Sequence, residues 1–271
     1  MQMKLLVSKK IVLPNGKEVV EKRSFMPFVW LILLVLTALA IRITGLSLDI
    51  LVHRIQQFFI ILQQMVPPNW AYLSKLWQPL FDTIKMSLFG SIAGAICALP
   101  IAVLAATNLT KHKGIAMISK FLLSLLRTLP TLIIALIATF VFGLGTMAGT
   151  VAIFLFTIAY VGKLLYEHIE NANMDAYEAM QSMGFTTIQA FRYAILPQIL
   201  PNYMSTALFC FEGNVRYASI LGYVGAGGIG LLLNESLGWR SYENVGMILL
   251  MLVCTVFLIE TTSEYFRKKL M

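Results

Sequence analysis

Charge is scarce in this chain, and so are the residues that build catalytic or metal centres. Only 13% of the 271 residues are Asp, Glu, Lys or Arg, against 58% hydrophobic. That balance excludes an ordinary soluble domain. The three cysteines, Cys97, Cys210 and Cys254, all fall inside long apolar runs. They read as small buried apolar residues and not as disulfide partners or metal ligands. The three histidines, His53, His112 and His168, lie on separate segments, so no spacing assembles them into a metal site or a triad. No catalytic residue and no metal site is expected. A phosphate-binding G-x-x-x-x-G-K-[ST] sequence is also missing: Gly162-Lys163 is followed by Leu164, and Thr157 stands where the first glycine should be. Nucleotide chemistry is therefore not expected on this chain. Internal repeats and low-complexity segments are absent too.

What the chain has instead is length of apolar sequence. A helix crossing a bilayer needs about 20 apolar residues, and six runs qualify, near 25–43, 84–106, 121–142, 147–166, 203–221 and 245–262. The expected fold is an all-α integral membrane protein with about six transmembrane helices. The net charge of +8 raises the question of nucleic acid, but its distribution answers it. With the N-terminus inside, the cytoplasmic segments hold Lys4, Lys9, Lys10, Lys17, Lys22, Arg23, Lys111, Lys113, Lys120, Lys163, Arg192, Arg267, Lys268 and Lys269, which is 14 of the 21 basic residues. This positive-inside bias supports N-in and C-in and argues against nucleic acid as a partner. The first apolar run is long enough to stay as a span, so no cleavage is expected.

Two segments flank the first span. Residues 1–24 form a basic cytoplasmic tail in which Asn15-Gly16 between β-branched runs signals a hairpin; a flexible tail is an equal alternative. Residues 25–82 hold the first span and an outer segment. There Leu51, Ile55, Phe58, Leu62 and Met65 recur at helical spacing up to Pro67-Pro68, predicting an amphipathic helix in the outer interface. Residues 83–271 make the expected core.

The most informative stretch is a polar island at 171–201, between the fourth and fifth spans and on the cytoplasmic side. A bare turn would need far less. Met174–Met183 and Thr187–Tyr193 each suit a short helix, and Gly184 sits where the first would stop. A stiff helix pair transmits force, whereas a flexible loop would absorb it. The fifth span carries Phe211-Glu212-Gly213-Asn214-Val215-Arg216. Ionised groups at membrane depth must face protein or water. Glu212 and Arg216 are spaced i, i+4 with the acid first, the favourable order for a pair. Such a pair serves equally as a structural lock or as the lining of a path. The span runs into Leu221-Gly222-Tyr223-Val224-Gly225-Ala226-Gly227-Gly228-Ile229-Gly230. That density of glycine breaks a helix, allows close packing, and leaves N–H groups that could receive an anion. Arg127, just before Pro130, is a second arginine within a span and is expected to be buried, with Pro130 kinking its helix.

The island resembles the EAA loop of ABC-importer permeases. Glu178, Ala179, Gly184, Leu196 and Pro197 fall in register with that pattern, while Met180 replaces its second alanine and Ala194 its isoleucine. The Phe-Glu-x-Asn-Val-Arg segment with the glycine run, Gly143-Leu144-Gly145, Ala148-Gly149 and Gly162-Lys163-Leu164 with Glu167 is similar to the phosphonate-type permeases over roughly residues 80–270. Thr146 departs from that family's usual proline. The resemblance implies a multi-pass permease of the bacterial cytoplasmic membrane, importing phosphonate or a relative such as phosphite or phosphate. It implies two ATPase subunits carrying the ATP and magnesium, a second permease copy or paralogue, and an external binding protein. It also implies that Glu178, Ala179, Met180, Gly184, Leu196 and Pro197 couple to the ATPase. Arg127, Glu212, Asn214, Arg216, Gly225, Gly227 and Gly228 are the path candidates. Rival readings are an ABC permease for methionine or another small solute, an ion-coupled secondary transporter, which would need intramembrane acids or histidines positioned for a coupling ion, and a membrane enzyme.

Overall fold

The structure is a computed structural model of the chain and describes residues 10–12, 18–20, 25–45, 47–110 and 112–270. It divides into two compact units, 1–60 and 61–271. In the first, strands β1 (Lys10–Val12) and β2 (Glu18–Val20) pair antiparallel, with Ile11 opposite Val19. The Asn15-Gly16 turn, and Lys4, Lys9, Lys17, Lys22, Arg23 and Lys111, lie outside the described residues. Helix α1 (Met26–Thr44) carries Pro27 in its first turn, where a missing N–H leaves no bond unmade. It stops at Gly45, whose left-handed φ of 64° lets its N–H reach the Ile41 carbonyl. Helix α2 (Leu48–Gln64) follows and ends short of Pro67-Pro68.

The second unit is a helical bundle built on α3 (Leu73–Ala105) and α6 (Thr146–Glu170). Their seam explains the sequence of α3. Gly90, Gly94, Ala98 and Ala102 recur every four residues, so one face has almost no side chain. A β-carbon on Gly90 would lie 2.7 Å from Ile153 Cγ2, and one on Gly94 would lie 2.6 Å from Thr157 Cβ. In a bilayer, where lipid competes equally for apolar surface, such close approach is what holds helices together. Helix α3 runs without a break through residues 82 and 83, the expected start of the core, and through Pro79 and Pro100. The second span therefore begins well before the apolar run read from the sequence, because Lys75, Asp82 and Lys85 dilute its first turns.

The expected third span is two helices, α4 (Lys113–Thr128) and α5 (Thr131–Phe142), which meet at 90°. Leu129 is driven into the extended region, φ −80° and ψ 121°, by the Pro130 ring that follows it. The island contributes α7 (Asp175–Ser182) and α8 (Thr187–Ala190). After a π-turn at Phe191–Ile195 the chain continues as α9 (Leu196–Leu221), α10 (Ile229–Gly238) and α11 (Tyr242–Leu270). Among the described residues, four helices are long and apolar enough to cross a membrane, or up to six when each of two bent pairs counts as one span.

Candidate functional site

The island is a knuckle whose turns are closed by its own side chains and backbone. Asn173 Oδ1 accepts the Asp175 N–H at 2.8 Å and starts α7. At the other end Gly184 takes φ +88°. Its N–H reaches the Gln181 carbonyl at 3.0 Å, and the Phe185 N–H reaches Met180 at 3.2 Å. That pair of bonds caps the helix with a left-handed residue, a role for which glycine carries no steric penalty. Thr186 then opens α8 with a capping box: Thr186 Oγ1 accepts the Gln189 N–H at 3.4 Å, and Gln189 Oε1 accepts the Thr186 N–H at 3.0 Å.

The knuckle is also fixed to the bundle. Gln198 Nε2 donates to the Asn173 carbonyl at 3.1 Å, and Asn108 Nδ2 donates to Met174 Sδ at 3.3 Å. Tyr177, Ala190, Ala194 and Ile195 belong to one apolar cluster with Ala98, Val161 and Leu165 of the bundle. Burial pushes the Tyr177 phenol above its ordinary range, so it stays neutral and accepts from Gln181 Nε2 at 3.0 Å. The second arm does not end before the fifth span. It passes through the π-turn, where the Leu196 N–H bonds to the Phe191 carbonyl, straight into α9. Pro197 has no N–H to offer, and the wider turn absorbs that loss. Pro201 sits inside α9, because the helix has already begun.

Of the six expected coupling residues, Glu178, Ala179, Gly184 and Pro197 are exposed, while Met180 and Leu196 pack partly into the apolar cluster. Beside them stand residues that the sequence pattern did not single out. Met183 is 68% exposed and Ile188 79%, with Phe185 and Tyr193 also open. Large apolar side chains on a rigid polar knuckle form the kind of patch that marks a protein interface.

Helix α9 brings its polar residues to different places. Asn214 is buried, and its Nδ2 donates to Ser91 Oγ at 2.8 Å and Thr157 Oγ1 at 2.9 Å. It knots α3, α6 and α9 together inside the packed seam, so that within this chain the residue expected along the path lies among the small residues of α3. Glu212 is 3% exposed and accepts a hydrogen bond from Arg216 Nη2. A second arginine, Arg267 near the end of α11, places Nη2 3.5 Å from Glu212 Oε2. By sequence Arg267 counts among the cytoplasmic charges, and no local signal links two helices so far apart in the chain. Arg216 is half exposed and lines a cavity of about 370 Å³ with Phe156, Tyr160, Gly213 and Tyr217.

The glycine run is a tight corner. Gly225, Gly227 and Gly228 have φ of 77°, 78° and 73°. The Gly145 N–H donates to the Gly225 carbonyl at 2.9 Å, and Thr83 Oγ1 accepts the Ile229 N–H at 2.8 Å. A β-carbon on Gly227 would lie 2.8 Å from the Thr146 nitrogen. Packing thus accounts for these glycines. Arg127 is exposed at the end of α4, not buried as expected, because the turn at Pro130 carries the helix end outward. Helix α4 packs mainly on α6 and α3 and does not bring Arg127 to the Glu212 cluster.

Comparison with known proteins agrees with this architecture. Residues 98–269 match the family described as binding-protein-dependent transport system inner membrane component. A phosphite transport system permease protein of Stutzerimonas stutzeri is 34% identical over 205 residues, 76% of this chain and 74% of that protein. A phosphate-import permease protein of Mycolicibacterium smegmatis is 32% identical over 211 residues, 78% of this chain but 40% of that protein. Among solved structures, an inward-facing methionine ABC transporter chain aligns with a TM-score of 0.66 at 21% identity, covering 75% of this chain and 99% of that one, a likeness of fold alone.

Proposed function

The chain belongs to the family of binding-protein-dependent transport system inner membrane components, the permease subunits of ABC importers, and we propose that it moves a phosphorus oxyanion, phosphonate, phosphite or phosphate, into the bacterial cytoplasm. The observation that carries the mechanical part is the knuckle: it is capped at every turn, packed into the bundle and continuous with α9, yet it presents Glu178, Gly184, Met183 and Ile188 to the outside. A rigid element that ends in an exposed apolar patch suits a lever gripped by a partner. The partner is an ATPase subunit holding ATP and magnesium, one beneath each of two permease copies. When nucleotide draws the ATPases together, the knuckle is pulled, α9 tilts with it, and the bundle rocks between inward-open and outward-open forms. Glu178 and Gly184 set the grip and the bend; Pro197 and Leu196 pass the motion on. An external binding protein delivers the cargo and holds most of the selectivity, because a path needs brief, weak contact.

The cargo rests on the phosphite and phosphate relatives and on Arg216, whose planar fork suits two oxygens of a phosphoryl-type anion. Growth of a transport-deficient bacterium on phosphite, phosphate or methylphosphonate as the only phosphorus source, with and without this subunit, tests it. Growth restored on at least one of the three is the expected result. Growth on none, with the complex assembled in the membrane, would end the cargo assignment.

A further inference from the structure

The Glu212 cluster holds one carboxylate between two arginines, and the three do not sit alike. Arg216 bonds Glu212 Oε1 and is half exposed, with its side chain at the wall of the aromatic cavity. Arg267 approaches the other oxygen, Oε2, at 3.5 Å and is three-quarters covered, its guanidinium 5.6 Å from the Phe209 ring. Glu212 Oε2 and Arg267 Nε are both fully enclosed, and neither has a hydrogen-bond partner among the described residues. The second pairing is an approach that stops short of a bond. By formal charge the cluster is one negative and two positive, a net of one positive.

We propose that Arg267 is the standing counter-charge of Glu212, and that it frees Arg216 to leave the carboxylate and hold a phosphorus oxyanion in the cavity bordered by Phe156, Tyr160, Gly213 and Tyr217. This rests on the oxyanion reading given above. With Arg216 as its sole partner, Glu212 would resist the exchange, because a buried carboxylate left without a partner is strongly destabilising. It would also repel the anion. Arg267 removes both objections. It is already within ion-pair range, its Nη2 3.5 Å from an Oε2 that has no hydrogen-bond partner, and its place over Phe209 holds it there. The anion is directed to this cavity by what else is charged nearby. Among the described residues, Arg216 is the only charged one lining it. The cavity on the other side of Arg216, of about 360 Å³, includes Glu260, and Glu264 is taken by Lys268 at 2.7 Å. Half exposure of Arg216 keeps the contact weak, as release to the cytoplasm requires.

The test is uptake by cells carrying the assembled importer, measured over a range of concentrations with whichever of labelled phosphite, phosphate or methylphosphonate the unaltered complex takes up fastest. Arg267→Gln leaves Glu212 to hold Arg216, so uptake at low concentration falls by about tenfold or more. The double variant E212Q/R267Q removes the competitor and restores uptake to within about threefold of the unaltered level. The triple variant E212Q/R216Q/R267Q, with no buried charge to misfold it, loses uptake again by about tenfold. A merely structural lock predicts that double and triple variants import alike. That result, or Arg267→Gln importing like the unaltered complex, would overturn the proposal. Should Arg267→Gln fail to assemble, the double and triple variants decide between the two. If the unaltered complex imports none of the three anions, the cargo reading falls and takes this inference with it; normal import with Arg267→Gln unimpaired sinks the inference alone.

Discussion

At Gly184 the backbone stands at φ +88°, and a β-carbon added there would meet nothing within 4 Å. At Gly230 the same atom would overlap the Ser219 carbonyl oxygen, and at Gly222 it would overlap the Gly230 backbone. The knuckle uses Gly184 for its conformation in open space; the corner after α9 uses Gly222 and Gly230 for their smallness between two backbones. The two regions therefore differ in what a substitution reports. At the knuckle, function can be damaged while the bundle stands. At the corner, the bundle itself fails first.

The sharpest way to break this contrast is Gly230→Ala. Backbone overlap cannot be relieved by turning a side chain, so α9 and α10 must separate, and overpacking of this kind costs about 3 kcal/mol or more. The expected outcome is near loss of the monodisperse protein extracted from membranes, read by size-exclusion profile. A normal yield and thermal midpoint would mean that the corner has slack the geometry does not suggest.

Gly184→Val should do the reverse. Holding a β-branched residue in the left-handed region costs about 1–2 kcal/mol, spent locally because no neighbour is struck. The chain should accumulate in the membrane at its usual level, while co-purification of the ATPase and solute uptake fall by about tenfold. Gly184→Asn should recover most of both, since Asn visits that region readily. Loss without recovery by Asn would mean that the surface at 184 must stay bare, and that the grip rather than the bend is the sensitive element.

How much of each region can be read from the residues follows the same division. The knuckle is written locally: Asn173, Gly184, Thr186 with Gln189, and Pro197 each act within a few positions, so the two short helices and their bend are foreseeable. The polar part of α9 is written at long range. Asn214 and Glu212 look equivalent in sequence, two polar residues in an apolar run. Only the bare face of α3 decides that one becomes a knot with Ser91 and Thr157 and the other a charge beside a cavity. Arg267 carries the ordinary signature of a cytoplasmic end, and the crossing of α11 against α9 is what gives it a partner. Pro130 foretells a break, but its size, 90°, depends on how α4 and α5 each find α6.

Asn214→Ala tests the long-range side at a smaller scale. Two hydrogen bonds inside the bundle vanish, and membrane-interior bonds are each worth about 0.6 kcal/mol, at most about 1.7. Ser91 and Thr157 can turn their hydroxyls to carbonyls of their own helices, which softens the loss. The thermal midpoint of the purified protein should drop by a few degrees, with assembly intact. A collapse like that expected of Gly230→Ala would show that Asn214 is a keystone of the seam and not one clasp among many.

The smallest effect is expected at Thr186→Ala. It removes one half of the capping box that opens α8, worth about 1 kcal/mol at an N-cap. The loss stays local because α8 is exposed on one side and Ala190 still anchors the other in the apolar cluster. Global stability should hardly move. Hydrogen exchange at Gln189 and Ala190, whose N–H groups bond Thr186, should quicken several-fold, since a 1 kcal/mol change in local opening alters its equilibrium by about fivefold. Uptake should fall less than in Gly184→Val, because a frayed cap loosens one end of the lever without redirecting it. If the amides quicken and uptake is unchanged, stiffness at the start of α8 is not what transmits the pull, and the load must pass through α7 and the Gln198 contact instead.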